Sequence, residues 1–551
     1  MTSSVPETDP YAPQPAWWEK YPWLGWPLAV AVLTVLLANA AFPPLNIGEA
    51  AYVFAVPAVL WAYRGPSFRL YARTVLAAQA VAWTILLGWL HNVTWVGLFL
   101  LGPFIGLLIG SWHLAVWWVM PRLRGRGAPF RIAVMLGLAA LWVLLEWVRG
   151  WIFGGFPWLP LASSQWQRPL VLQPASYAGA WSVSFVLVLF NLGVAAYAHR
   201  IFFEGVTGLK KRSPEFMAAL FFLVFTTFPT LTEIMGQQRA KLARIAFVQP
   251  AIPQLQKWDQ AFAAETIKAI EKTTQDAVVF GEPDLILWPE AVTPWVLHKD
   301  PNVQPWLESV AKKAARPLLL GVVSAQPEGA DWRWSNGVVL VDPAKGLQPA
   351  AYVKRKLVPF GEYIPLRPVL GWIEKFAPIG GDFTPGRSAA PIPVPAGRVT
   401  IPVGPLVCYE DIFPRLARES VLAGAELLAV QTNNGWFGTG GAAYQHATHS
   451  VLRAVENRRP VVRCGNAGWS GWIDEYGNIR GVLTGEDGTV YFRGSATHVV
   501  TRDLRWHGQQ TFYTLHGDWF LLVCAGLAAL AGWMVTAFPP PPSRTGAEPV
   551  F

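Results

Sequence analysis

Three short stretches carry side chains that could do covalent chemistry together. In the first, Val399-Thr400-Ile401-Pro402-Val403 reads as a β-run. It leads through Gly404-Pro405-Leu406-Val407 to Cys408-Tyr409-Glu410-Asp411, and a helical pattern opens at Ile412-Phe413-Pro414-Arg415. A thiol where a strand gives way to a helix is expected to be exposed near a helix start, a setting that lowers its pKa and favours the nucleophilic thiolate. Taken alone, such a cysteine is more often a small buried hydrophobe. In the second stretch, the apolar strand Leu285-Ile286-Leu287-Trp288 ends in Pro289-Glu290. Desolvation there raises a carboxyl pKa toward the range useful to a general base; a solvated loop glutamate is the bland alternative. The third runs Tyr352-Val353-Lys354-Arg355-Lys356-Leu357-Val358-Pro359-Phe360-Gly361-Glu362-Tyr363. A lysine held near a thiol stabilises both a thiolate and an acyl oxyanion, whereas a surface charge run is the ordinary account of such cations.

The elements around these stretches alternate. β-runs at Ile245–Val248, Leu285–Trp288, Leu318–Val323, Val338–Val341, Leu406–Cys408, Leu427–Gln431 and Val461–Cys464 are separated by helical patterns. Those patterns cover Lys257–Val279, Val303–Ala314, Pro414–Ala423 and Tyr444–Asn457. Residues 243–503 therefore read as a separate α/β layered domain. Within it, Ile364–Gly397 is rich in glycine and proline with little periodicity, which makes it a candidate mobile lid.

The rest of the chain is apolar. Hydrophobic residues make up 53% of the 551, charged residues only 14%, and there are 30 tryptophans. That balance requires segments in lipid. Apolar spans fall near 22–42, 48–63, 73–91, 95–120, 130–149, 176–198 and 214–234, with an eighth near 517–537. Most approach the ~20 residues needed to cross ~30 Å of hydrocarbon. The net charge of +9 is then a matter of topology rather than of nucleic-acid binding. Arg64, Arg69 and Arg73 follow the second span; Arg122, Arg124, Arg126 and Arg131 the fourth; Arg200, Lys210, Lys211 and Arg212 the sixth. Cationic loops stay cytoplasmic, so the seventh span delivers the α/β domain to the far side and both termini remain inside. The expected order is a disordered tail at 1–20, a membrane domain at 21–236, the α/β domain at 243–503, the span at 517–537 and a tail at 538–551.

The link between the fifth and sixth spans holds Trp151, Phe153, Phe156, Trp158 and Trp166 among prolines and glycines. Such aromatics suit either plain interfacial anchoring or a cradle for a lipid substrate. Glu146 and Arg149, at the end of the fifth span, are expected to snorkel. Cys408, Cys464 and Cys524 form no CxxC pair, which argues against a disulfide scaffold or a zinc site. Cys464, in Val461-Val462-Arg463-Cys464-Gly465, reads as inert strand interior.

Glu290, Lys354 and Cys408, in this order and at this spacing, resemble the Glu-Lys-Cys triad of the nitrilase superfamily. With the spans around them, nearly the whole chain resembles the apolipoprotein N-acyltransferase family. Glu146-Trp147-Val148-Arg149-Gly150, Gly155-Phe156-Pro157-Trp158, Gln254…Lys257-Trp258-Asp259 and Asn433-Asn434-Gly435-Trp436-Phe437-Gly438 extend the likeness. The resemblance implies eight transmembrane helices plus an αββα sandwich, in a bacterial inner membrane with the sandwich facing the periplasm. It makes Cys408 the nucleophile, Glu290 the general base and Lys354 the oxyanion stabiliser. Glu362 and Phe360 belong to the motif that supports the triad, Tyr409 and Glu410 flank the nucleophile, Trp258 lies at the substrate cleft and Trp436 in a loop near the membrane. Asn434 stands where an aspartate is expected, and Cys464 where a small non-thiol residue is expected. The implied partners are a phospholipid acyl donor and the diacylglyceryl-modified amino-terminal cysteine of an apolipoprotein. The implied protein is a monomer in the bilayer with no cofactor and no nucleic acid.

Two rivals remain. A membrane-tethered amidase would use the same triad on a small C–N substrate, but needs no multi-span anchor. A transporter would need paired charges or broken helices at mid-membrane, and spans two, four, six and seven carry almost none there. Acyl transfer explains the anchor. Each CH₂ withdrawn from lipid costs ~0.8 kcal/mol, so extracting a chain of about sixteen carbons would cost on the order of 10 kcal/mol.

Overall fold

Strands built largely from Val, Ile, Leu and Ala assemble into two six-stranded sheets. The protein is seen here as a computed structural model that describes residues 25–204, 212–254, 256–329, 331–372 and 382–538. The stretch 1–20, Lys210, Lys211 and the tail beyond Phe538 lie outside the described residues. The first sheet has the order β12-β1-β2-β3-β4-β5: β1 Arg239–Gln249, β2 Leu285–Leu287, β3 Leu318–Glu328, β4 Asp331–Asp342, β5 Gly346–Val353 and β12 Gly494–Asp503. The second has the order β11-β10-β9-β8-β7-β6: β6 Ile392–Ala396, β7 Val399–Val407, β8 Leu427–Thr432, β9 Val461–Gly465, β10 Gly471–Ile473 and β11 Ile479–Val482.

In each sheet the central three strands, β1-β2-β3 and β7-β8-β9, run parallel. Parallel strands must be covered on both faces, which is why these runs are apolar at most positions rather than at alternate ones. The alternation survives in direction. Ile245, Phe247, Leu285 and Leu287 meet Val407, Leu427, Ala429, Val462 and Cys464 between the sheets. Ala246, Val248, Ile286 and Trp288 point the other way and pack with Ile270, Leu307 and Val310 of the outer helices. The described domain is thus the αββα sandwich.

Every β-run read from the sequence falls within or across a strand, but β5, β6, β10, β11 and β12 were not legible. β6 lies inside the stretch expected to be a lid. Its Pro393 and Pro395 read as breakers, yet β6 is an edge strand, where a missing N–H costs no ladder bond. Residues 373–381 of that stretch lie outside the described residues. The helical pattern expected from Lys257 starts instead at Ala263, which leaves Lys257 in an irregular segment.

Helices occur at all eight expected apolar positions: α1 Trp26–Ala40, α2 Val56–Tyr63, α3 Phe68–Leu86, α4 Trp95–Gly110 continuing into α5 Trp112–Val119, α6 Ala128–Arg149, α7 Ala180–Phe203, α8 Pro214–Met235, and near the C-terminus Trp519–Ala537. Among the described residues, five segments are long and apolar enough to cross a membrane: Trp95–Leu123, Ala128–Arg149, Ala180–Phe203, Pro214–Met235 and Trp519–Ala537. α1 is short, the second span is a 3₁₀ turn at Gly48–Tyr52 followed by α2, and α3 carries Arg69 and Arg73. The sandwich helices are α9 Ala263–Gly281 and α10 Val303–Ala314 on the first sheet, with α11 Pro414–Leu422 and α12 Ala442–Asn457 on the second. The α12 side of the sandwich and the apolar helices share one core: Leu406, Ala447, Val451 and Val455 belong to the same cluster as Trp142, Trp158 and Val183. The C-terminal helix Trp519–Ala537, α13 here, packs along α6.

Phe247→Ala opens a cavity between the sheets and is expected to cost about 3–5 kcal/mol. Thermal unfolding of the detergent-solubilised protein reads this as a lowered midpoint; an unchanged midpoint would show that the inter-sheet layer is not packed core.

Candidate active site

Each chemically capable residue sits just past the end of a strand. Glu290 follows β2, Lys354 follows β5, and Cys408 follows β7. In all three loops a non-glycine residue takes the left-handed backbone region: Ala291 (φ 46°), Phe360 (φ 59°) and Cys408 (φ 50°). L-residues rarely adopt it, and such strain gathers where surrounding structure fixes a side chain's aim. Glycine matters at one neighbouring point. A Cβ on Gly321 of β3 would lie 2.5 Å from the Glu290 Cα, so β3 can approach the Glu290 loop only without a side chain.

Lys354 is buried between two carboxylates. Its Nζ lies 2.9 Å from Glu362 Oε1 and 3.5 Å from Glu290 Oε1. Asn336 ties the acids together, donating through Nδ2 to Glu290 Oε1 at 2.8 Å and to Glu362 Oε1 at 3.0 Å. Glu362 Oε2 accepts the Val358 N–H at 2.8 Å. Burial alone would pull the Lys354 ammonium down, but Glu362 and Glu290 outweigh it and hold it above its ordinary value.

Two expectations are corrected here. Cys408 is buried and opens a 3₁₀ turn, Cys408–Ile412, not an α-helix. No helix N-terminus lowers its thiol. Burial and the Glu290 charge push it up to about 12, against the pull of Lys354. Glu290 is also reversed. Burial raises its carboxyl, but Lys354, Asn336 and Lys257 together prevail and hold it below its ordinary value. The resting pair is therefore a neutral thiol beside an ionised carboxylate, which is the state a general base needs before the proton moves.

Glu410 is a clamp. Its Oε2 accepts from Tyr352 Oη (2.7 Å) and the Val407 N–H (2.8 Å), and its Oε1 from the N–H groups of Arg355 (2.6 Å) and Lys356 (3.0 Å). One buried carboxylate thus joins the lysine loop to the Cys408 turn. Tyr409 reaches the other way, donating from Oη to the Gly155 carbonyl at 2.8 Å and lying near the Phe156 ring.

Residues 34–193 match the apolipoprotein N-acyltransferase N-terminal domain, and residues 244–499 match the carbon-nitrogen hydrolase family. An apolipoprotein N-acyltransferase of Geobacter metallireducens is 31% identical over 91% of this chain and 94% of its own. The chain belongs to the apolipoprotein N-acyltransferase family. Another relative of that name, from Chlorobaculum tepidum, is 29% identical over 92% of this chain and 96% of its own. Among solved structures, an amidase from Nesterenkonia sp. is 21% identical, with a TM-score of 0.37, over 53% of this chain and 98% of its own. This apolipoprotein N-acyltransferase family member is therefore an acyltransferase enzyme with a nitrilase-like domain.

The other residues singled out in the sequence divide between the surface and the interior. Trp258, Phe360 and Trp436 are 44%, 42% and 50% exposed, each within three residues of a more enclosed residue: buried Lys257, half-buried Glu362 and buried Asn434. The aromatic link after α6 divides. Phe153 and Trp151 are exposed, whereas Trp158 and Trp166 are buried instead of lying at an interface. Glu146 and Arg149 do not snorkel. Both are buried, and they hold the link: Glu146 Oε1 accepts the Leu161 N–H at 2.7 Å, and Arg149 donates to the Leu159 carbonyl at 3.3 Å. Cys464 is fully buried, with its sulfur 3.4 Å from the carbonyls of Val248 and Leu287, and burial pushes its thiol up to about 12.

Sequence reasoning missed two residues. Asn336 sits in the middle of β4 with no motif to mark it. Lys257, quoted only as part of a family-like string, is buried and donates from Nζ to the Glu290 carbonyl at 3.2 Å; burial pulls its ammonium down to about 8, against Glu290 and Cys408. A lysine flanked by Trp258 and Asp259 looks like surface charge until the fold folds it inward.

In the resting enzyme, iodoacetamide alkylation of Cys408 should climb with pH past 10 with no plateau near neutrality. Glu290→Gln removes the negative neighbour, so thiolate should appear at lower pH in that variant. A wild-type thiol that titrates near neutrality, or an upward shift in Glu290→Gln, would sink this electrostatic account.

Proposed function

We propose that the protein N-acylates the amino-terminal diacylglyceryl-cysteine of apolipoproteins, taking the acyl chain from a membrane phospholipid through a thioester on Cys408. The observation that carries the proposal is the largely buried Glu290–Lys354–Glu362–Asn336 cluster beside Cys408, in a sandwich whose Cys408 turn is tied by Tyr409 to the apolar helices.

The first half-reaction starts with substrate bound. Glu290 takes the Cys408 proton as Sγ bonds to the ester carbonyl carbon. Lys354, with a backbone N–H, bears the negative charge on the carbonyl oxygen. The carbon–oxygen bond to the glycerol breaks, Glu290 returns its proton to that oxygen, and lysophospholipid leaves. In the second half, the substrate α-amine attacks the thioester, Glu290 removes the excess amine proton, and Cys408 departs and is reprotonated. The thiol's raised pKa fits this order: a thiolate forms only as the electrophile arrives.

Water must stay away from the thioester, or the cycle ends as hydrolysis. The exposed Trp258, Phe360 and Trp436 supply an apolar rim that acyl chains can line. Eight membrane-crossing segments, with the α/β domain outside the bacterial inner membrane and both tails in the cytoplasm, would set that rim at the outer leaflet. This topology rests on the cationic loops and on the five long apolar segments. Glu362 and Glu410 act through Lys354 and the nucleophile turn rather than on substrate.

Incubating the purified protein with phospholipid alone tests the reading. Intact-mass analysis should find one acyl group on Cys408, released stoichiometrically with lysophospholipid, and none in Cys408→Ala. Glu290→Gln should form the adduct slower by about 10²–10⁴-fold. Rapid turnover to free fatty acid would support a hydrolase instead, and acyl transfer persisting in Cys408→Ala would remove the thioester altogether.

A further inference from the structure

Helix α12 gives nothing to the triad, yet consecutive residues on it touch the nucleophile turn and the membrane domain. His446 Nε2 lies 3.1 Å from the Cys408 carbonyl oxygen and 2.8 Å from Asp411 Oδ1. Both neighbours are acceptors, so Nε2 must carry the proton and donate. Nδ1 lies 3.2 Å from Asn434 Nδ2, which donates to it. The tautomer is therefore fixed at both ends. Burial, with the Arg463 guanidinium, pulls the ring's pKa down and keeps it neutral against Asp411. Asp411 is held in turn by Ser450 Oγ (2.7 Å) and Arg463 Nη1 (2.6 Å), while Arg453 donates to the Asp411 carbonyl and His449 lies nearby; all of these groups are buried. This arrangement also accounts for Asn434 where an aspartate was expected. An amide donating to a neutral ring and a carboxylate accepting from a charged one both leave Nε2–H aimed at Cys408.

That bond is placed where it matters. Cys408 takes the left-handed backbone region, a conformation L side chains rarely adopt, and the turned peptide is what directs Sγ toward Glu290 and Lys354. Its carbonyl has to be held by something. On the other side of the same helix turn, Gln445 Oε1 accepts from the indoles of Trp89 (3.1 Å) and Trp158 (2.9 Å). Its Nε2 donates to the carbonyls of Pro43 (3.0 Å) and Leu86 (3.0 Å). Two donors and two acceptor positions are thus all engaged, on segments around α1, α3 and the aromatic link.

We propose that His446 is a positioning residue for acyl transfer: it holds the Cys408 carbonyl in the strained turn, and adjacent Gln445 registers that turn against the membrane domain. The proposal rests on Cys408 being the nucleophile.

His446→Gln and His446→Asn test it in the full-length protein. Both are neutral amides, but glutamine brings an N–H to the reach of Nε2 and asparagine stops short of it. At saturating phospholipid, His446→Gln is expected to form the acyl-enzyme within roughly threefold of wild type, and His446→Asn to be slower by roughly tenfold or more, with the half-saturating lipid concentration unchanged. Equal rates for the two variants, a loss confined to half-saturation, or a His446→Gln protein that lacks the wild-type melting profile would overturn the proposal. If His446→Asn does not fold, Gln445→Leu carries the test from the membrane side: slowed acylation at unchanged half-saturation supports the proposal, and a wild-type rate overturns it. Cys408→Ala run alongside separates the two readings. Transfer surviving in Cys408→Ala removes the nucleophile itself, whereas an inert Cys408→Ala with a fully active His446→Asn removes only the positioning role.

Discussion

A buried ammonium needs its charge answered, and Lys354 has it answered by Glu290 and Glu362. Moving such ions from water costs several kcal/mol each unless they are paired and hydrogen-bonded, and removing one partner of a buried pair costs about 3–5 kcal/mol. The cluster therefore holds together as a unit. Asn336 bridges the two acids, and the Val358 N–H occupies the second oxygen of Glu362. The same charges set the protonation states. They keep Glu290 ionised, and Glu290 with burial keeps the Cys408 thiol protonated. A thiol kept protonated in this way is a poor target for stray electrophiles, since the thiolate is the reactive form.

The sandwich exists to bring three loops to that cluster. β2 and β5 belong to one sheet and β7 to the other, so the site straddles the gap between sheets. Glu410 closes the gap by accepting N–H groups from the lysine loop and from the end of β7. Left-handed residues at Ala291, Phe360 and Cys408 re-aim the chain at each strand end. Packing on both faces of the parallel strands supplies the rigidity that such strain requires.

The link to the apolar helices is polar at its centre as well as apolar at its edges. Gln445, His446 and His449 are buried on α12, and Trp158 lies against both histidines. Polar side chains so deep are tolerated only when satisfied, and satisfied networks fix one arrangement more sharply than oil-like contact does. The proposed meeting of the Cys408 sulfur with a lipid carbonyl at a fixed depth would use that sharpness. Tyr409 and Gly155 form a second tie between the same bodies.

What the sequence determined by itself was local. The apolar periods of β1, β2, β3, β7, β8 and β9, the helical period of α10 and α12, and the spans of α6, α7 and α13 depend on neighbours along the chain. So does the placement of Glu290 and Cys408 after apolar runs. What only the tertiary structure decided depends on residues distant in sequence. Proline-bearing β6 became a strand because it lies at an edge. Asn336 and Lys257 entered the site because β4 and the segment before α9 pass beside Glu290. The electrostatic signs at Cys408 and Glu290 reversed for the same reason: a pKa answers to the charges and solvent left after folding, and no stretch of sequence contains its own surroundings.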